Sequence, residues 1–236
     1  MTKKKKIILS ISIILSIVLL ASVLLVCFYV IPEHKKNKER EEFIKSYRQS
    51  KLEKYTQENN QYADYEVDVA FLGDSLTDSY DVETHYAQYK VVNRGIGGDT
   101  TFDLENRLKI SAYDLKPKVA VMLIGANNFQ TMFENYERIV VGLKNNLPST
   151  KIVLLSLTAM SGSWGTYNEL ACFNNIKIKQ IAEKYSCVFV DLFYPLFDLD
   201  SNGLLAEYTI DGGHLTPAGY NVLTAEITPV LESILP

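Results

Sequence analysis

Four short clusters of polar residues, each set among glycines, are the parts of this sequence that could do chemistry. Ser75 lies in Gly73-Asp74-Ser75-Leu76-Thr77, Gly98 in Gly95-Ile96-Gly97-Gly98-Asp99-Thr100, Asn127 in Gly125-Ala126-Asn127-Asn128, and His214 in Asp211-Gly212-Gly213-His214-Leu215-Thr216-Pro217. A serine hydroxyl is a weak nucleophile at neutral pH. It needs a base within hydrogen-bond reach and donors for the oxyanion that its attack creates. Only three histidines exist. His34 sits in a charged stretch and His85 beside Glu83, where a solvated surface role is expected. His214 follows Asp211 by three residues, so the carboxylate can hold one imidazole nitrogen and leave the other as base. Ser75 can donate its own backbone N–H, Gly98 an unobstructed second one, and the Asn127 side-chain amide a third. That set suits acyl transfer. Asp211 and Thr216 also read as caps of the last helix, because Thr216-Pro217 has the form of an N-cap followed by proline. Both readings hold together, since a helix start would fix His214.

These clusters need a scaffold that brings them to one place. Short apolar, β-branched runs at Val67–Leu72, Lys90–Asn93, Val119–Ile124, Ile152–Leu157 and Val188–Asp191 read as strands. Thr100–Leu108, Met132–Leu147, Tyr167–Tyr185 and Pro217–Leu235 read as helices. Alternating strand and helix implies an α/β fold whose parallel sheet is covered on both faces. Ligands bind such sheets at the carboxyl ends of the strands, and three of the four clusters follow strands directly.

On these residues the chain resembles the SGNH hydrolases, the GDSL family of esterases and lipases, over roughly Val67 to Leu235. Gly73-Asp74-Ser75-Leu76 matches the block that names the family, Val92 to Thr100 is similar to its second block, and Gly125-Ala126-Asn127-Asn128 to its G-x-N-D block. Asp211 and His214 match its D-x-x-H. The resemblance implies Ser75 as nucleophile, His214 and Asp211 as its partners, and Ser75, Gly98 and Asn127 as oxyanion donors. It also implies a flavodoxin-like three-layer α/β/α fold with five parallel strands in order 2-1-3-4-5, and neither metal nor cofactor. One position departs from the pattern: Asn128 stands where the family has an acid, which is expected to tune activity rather than abolish it.

The remaining sequence bears on where this chemistry takes place. The 236 residues are 47% hydrophobic with a formal charge of −4, too apolar for disorder. Ile7–Ile31 carries no charge and follows Lys3–Lys6. As a helix it would be about 37 Å long, enough to span a hydrocarbon core of ~30 Å. The expected organisation is a basic tail (1–6), a transmembrane anchor (7–31), a charged helical stalk or disordered spacer (32–62) and one hydrolase domain (63–236). A cleaved signal peptide and a lipoprotein site at Cys27 are the weaker alternatives. Lys3–Lys6 argue for a cytoplasmic N-terminus but are nearly balanced by Lys35, Lys36, Lys38, Arg40 and Lys45, so the expected extracellular domain rests on the signal-anchor layout of short tail, long apolar helix and large domain. Beyond residue 31 there are 20 Lys and Arg against 28 Asp and Glu, a formal charge of −8, which argues against a nucleic-acid partner. Cys172 and Cys187 are expected to be buried free thiols, with a disulfide between them in an oxidising compartment as the alternative.

Other segments compete for roles. Ser161-Gly162-Ser163-Trp164-Gly165 approaches a G-x-S-x-G elbow but lacks the strand directly before it. The segment Thr158–Tyr167 reads instead as a pocket wall, with Met160, Trp164 and Tyr167 as candidate substrate contacts, or as an ordinary surface loop. Gly95–Gly98 fails the dinucleotide pattern, and Asp78 and Asp81 read as surface acids. The expected activity is therefore a membrane-tethered serine esterase acting on short, acetyl-like acyl groups of glycans. A lipase or lysophospholipase, or a surface binding protein without turnover, is the alternative.

Overall fold

The computed structural model describes residues 2–4, 15, 16, 19, 20 and 22–235. It divides into two units, Met1–Ser50 and Lys51–Pro236. In the first, Ser22–Leu25 and the π-helical Val26–Val30 lead into helix α1 (Ile31–Asn59). Large apolar side chains there, among them Leu24, Phe28 and Tyr29, are exposed. Residues 7–14, 17, 18 and 21 of the expected anchor lie outside the described residues, and among the described residues no helix is long and apolar enough to cross a membrane.

The second unit holds a five-stranded, all-parallel sheet of β1 (Val69–Gly73), β2 (Val91–Gly95), β3 (Val119–Leu123), β4 (Lys151–Leu155) and β5 (Val188–Val190). Its spatial order is 2-1-3-4-5, as the resemblance implied. β1, the strand before Ser75, lies between β2 and β3, so Leu72 pairs with both Arg94 and Met122. The loops leaving all three strands are therefore neighbours at the sheet's carboxyl edge.

Side chains alternate between the two faces and both are dry, which is why β1 and β3 are buried at every position. Ala70, Leu72, Ala120 and Met122 pack under helices α4 (Thr101–Leu108), α5 (Phe133–Asn146) and α6 (Asn168–Lys184). Val69, Phe71, Val119 and Val121 pack under the last helix, Pro217–Ile234. Each Leu, Ile or Phe buried in these layers stabilises the fold by about 1.5–3 kcal/mol.

Several short elements were not foreseen. α2 (Ser75–Asp78) and α3 (Val82–His85) are single turns after β1, each opened by an Asp cap, Asp74 and Asp81. α7 (Phe193–Leu196) precedes a two-residue hairpin, β6 (Phe197–Asp198) with β7 (Gly203–Leu204), and α8 is the last helix. Elements this short leave no periodic signal in sequence. All three cysteines are free, and Cys172 is exposed rather than buried.

Candidate active site

β1 ends on Gly73 because the chain turns hard there. A Cβ at this position would lie 2.1 Å from Thr77 Oγ1 and 2.2 Å from the Leu123 carbonyl oxygen. Asp74 then caps α2 by accepting from Leu76 N–H at 3.1 Å, and Ser75 becomes the first residue of the turn. The Asp74 carboxyl is buried, and its second oxygen has no partner among the described residues. Burial, reinforced by the nearby Asp99, pushes it up to about 7.

The histidine arrives on a separate loop. Ser75 Oγ is 3.0 Å from His214 Nε2, and His214 Nδ1 is 2.7 Å from Asp211 Oδ2. The other Asp211 oxygen accepts from the backbone N–H groups of Gly213 (2.9 Å) and His214 (2.8 Å). These bonds hold the Asp211 carboxyl down at about 2, so it is ionised at neutral pH and accepts from Nδ1–H. Nε2 is thereby left with its lone pair toward Ser75. The loop is folded back by a bridge between Thr209 and Leu215, and the Ser161 N–H donates to the Gly212 carbonyl at 2.8 Å. Gly212 has φ +95°, and a Cβ there would sit 2.4 Å from the Ser161 carbonyl oxygen. Thr216 caps α8, accepting from Gly219 N–H at 3.3 Å, with Pro217 behind it. The two sequence readings of this loop thus hold together.

The three expected oxyanion donors each have an N–H left over. The backbone N–H groups of Ser75 and Gly98 make no hydrogen bond among the described residues. Gly98 has φ +81° with open space where a Cβ would go, so its backbone conformation is what calls for glycine. Asn127 Nδ2 donates one hydrogen to the Asp99 carbonyl at 2.9 Å, which leaves its second N–H available.

Residues that the sequence reading passed over lock these loops together. Arg107, buried on α4, donates to Asp99 Oδ2 (2.6 Å), the Gly73 carbonyl (2.9 Å) and the Arg94 carbonyl (2.9 Å). It ties the ends of β1 and β2 to the Gly98 loop. Asn93 donates to the carbonyls of Thr77 (2.6 Å) and Tyr80 (2.9 Å), holding α2 against β2. Asp78 corrects an expectation: it is not a surface acid, because its side chain is 11% exposed and its Oδ2 accepts from Gly97 N–H at 2.9 Å. His85 is half-buried rather than solvated, with Nδ1 2.9 Å from Thr224 Oγ1. A buried arginine within an amphipathic helix was the one available signal for Arg107.

Asn128 is explained by its partner. Thr101 Oγ1 donates to the Met132 carbonyl (3.0 Å) and so needs a donor in return, which Asn128 Nδ2 supplies at 2.9 Å. A carboxylate could not make that bond.

A cavity of about 60 Å³ opens beside Ser75 and His214, walled by Leu76, Phe129, Met160 and Trp164. It adjoins a larger compartment of about 220 Å³ between Phe129, Gln130, Trp164 and Tyr167. Phe129 and Tyr167 stack at 5.3 Å, and Trp164 lies against Gly213, where a Cβ would be 3.5 Å from the indole. The three candidate contacts thus line one continuous cleft. Ser163 is exposed on the 3₁₀ turn Gly162–Tyr167 and is absent from both compartments. Among the described residues, no group of three or more His, Cys, Asp or Glu side chains could hold a metal ion.

The sequence profile of the GDSL-like Lipase/Acylhydrolase family matches residues 71–222, which include all four clusters. The chain belongs to this family. Among GDSL-like relatives, the platelet-activating factor acetylhydrolase IB subunit alpha2 of Rattus norvegicus is 28% identical over 187 residues, covering 73% of this chain and 79% of its own. A Streptococcus pneumonia structure, described provisionally as a platelet activating factor, superposes with TM-score 0.75 at 27% identity. It covers 84% of this chain and 99% of its own. An acetylxylan esterase from Geobacillus stearothermophilus shares the fold at TM-score 0.60 and 18% identity, over 72% of this chain and 95% of its own.

Proposed function

We propose that this GDSL-like hydrolase is a serine esterase that removes short acyl groups, acetyl above all, from a larger alcohol. The observation that carries the reading is the Ser75–His214–Asp211 chain of hydrogen bonds, with backbone and amide donors left open around it. Ser75 Oγ attacks the ester carbonyl as its proton passes to His214 Nε2, while ionised Asp211 stabilises the imidazolium. Ser75 N–H, Gly98 N–H and the Asn127 amide receive the oxyanion. The alcohol leaves with the proton from His214, and water activated by the same base then releases the acid from the acyl-serine.

We assign the part of the cleft beside Ser75 to the acyl group and the aromatic part between Phe129, Trp164 and Tyr167 to the alcohol. The acetylhydrolase name of the 28% identical rat relative supports the acetyl preference. We assign the alcohol to glycans, whose apolar ring faces stack on Trp164 and Tyr167. The exposed apolar residues from Val23 to Ile31 and the uncharged run before them support a single-pass anchor, which we propose to orient with the domain outside the cell.

A fluorophosphonate should label Ser75 and spare Ser75→Ala, and folded wild-type protein that stays unlabelled would end the esterase reading in favour of a binding protein. In an ester panel of increasing chain length, acetyl should be turned over best. Activity that rises with chain length would replace this substrate class with lipids. Asn127→Ala should cost ~10²–10³ in kcat. Near-full turnover by that variant would remove Asn127 from the oxyanion site.

A further inference from the structure

We infer that the end of α1, Lys51–Asn59, is a clamp that positions the oxyanion loop, and that Lys51 and Tyr55 are positioning residues for the Gly98 donor. This rests on the esterase reading. Tyr55, 1% exposed, donates its hydroxyl to the Gly95 carbonyl at 2.5 Å, at the point where β2 becomes the loop. Its ring lies 4.6 Å from the guanidinium of Arg94, which is fully buried and paired with Glu58 and Asn59. One turn earlier, Lys51 Nζ meets Asp78 Oδ1 at 2.5 Å, and the opposite oxygen of Asp78 accepts from Gly97 N–H.

The loop is therefore gripped at both of the residues flanking Ile96. Gly97 N–H is spent on Asp78, and the N–H of the next residue, Gly98, makes no hydrogen bond among the described residues. Asp78 itself closes α2, the turn that Ser75 opens, so one carboxylate relates the nucleophile to the donor. A spacer would need none of these contacts. An oxyanion donor displaced by about 1 Å costs on the order of 10²-fold in rate, so a clamp on this loop carries catalytic weight.

The test uses the full chain with Tyr55→Phe, Lys51→Met and Lys51→Arg. Tyr55→Phe keeps the ring over Arg94 and should fold. In both Tyr55→Phe and Lys51→Met, kcat should fall about tenfold and the rate of fluorophosphonate labelling should fall in parallel, with KM within about twofold. Lys51→Arg should restore most of the rate. A helix that merely adds stability would lower the unfolding temperature and leave kcat unchanged well below it. Wild-type turnover with both variants within about twofold in kcat overturns the clamp and leaves the esterase standing. Failure of wild-type protein to hydrolyse esters or to label takes both down.

Discussion

The two halves of the candidate site are built differently. Ser75 and the Gly98 loop sit at the ends of buried parallel strands, and their positions depend on Arg107, Asn93 and Asp78, which come from three separate elements. His214 and Asp211 lie on one loop and hold each other: the contact between them spans three residues, and both side chains are 45% exposed, while Ser161 ties the loop at Gly212. The buried half is fixed by long-range polar bonds in a dry environment, where an unmatched group is costly. The exposed half is fixed by local turn geometry, where water can replace a lost partner. His214 and Ser75 can thus be perturbed independently.

The largest expected effect comes from removing the proposed nucleophile itself. Ser75→Ala should lower kcat by a thousand-fold or more while leaving the melting temperature nearly unchanged, as steady-state kinetics and thermal unfolding would report. Arg107→Met attacks the buried half: it takes the guanidinium away from Asp99, whose side chain is 0% exposed, and should cost about 3–5 kcal/mol of stability in denaturant titrations. Loss below 1 kcal/mol would contradict the contrast between the halves. Gly212→Ala attacks the exposed half. Its positive φ should cost about 1–3 kcal/mol, and the contact with Ser161 should displace His214. Activity should therefore fall while Arg107 and the strands stay in place, which amide exchange would show.

A further difference is a pH dependence of opposite sign in the two halves. Asp74 is held near 7 against an ordinary 3.8, so the folded state keeps a proton that the unfolded chain has lost. Its contribution is present below about pH 4 and disappears as pH rises toward 7. Asp211, held near 2, contributes above about pH 4 and loses that contribution as pH falls toward 2. Unfolding free energies measured across both windows should show Asp74→Asn flattening only the upper one and Asp211→Asn only the lower.

The same division explains what could be read in advance. The five strands alternate with helices strongly enough to imply the sheet, and each cluster carries its glycine in the chain beside the polar residue it serves. Asp78 was misread because its partners, Lys51 and Gly97, are 27 and 19 residues away. α2 and α3 were missed because one turn of helix has no period. The end of α1 was read as part of a stalk because its charge is high, yet Tyr55 and Asn59 are buried.

By itself, then, the sequence determined the layer architecture, the glycine-marked strand ends and the Asp211–His214 loop, because period and turn chemistry are local properties. Only the tertiary structure decided how the Ser75 turn, the Gly98 loop and residues Lys51–Asn59 of the same unit lock together. Those bonds join residues far apart in the chain, and burial in a low-dielectric layer gives them their strength.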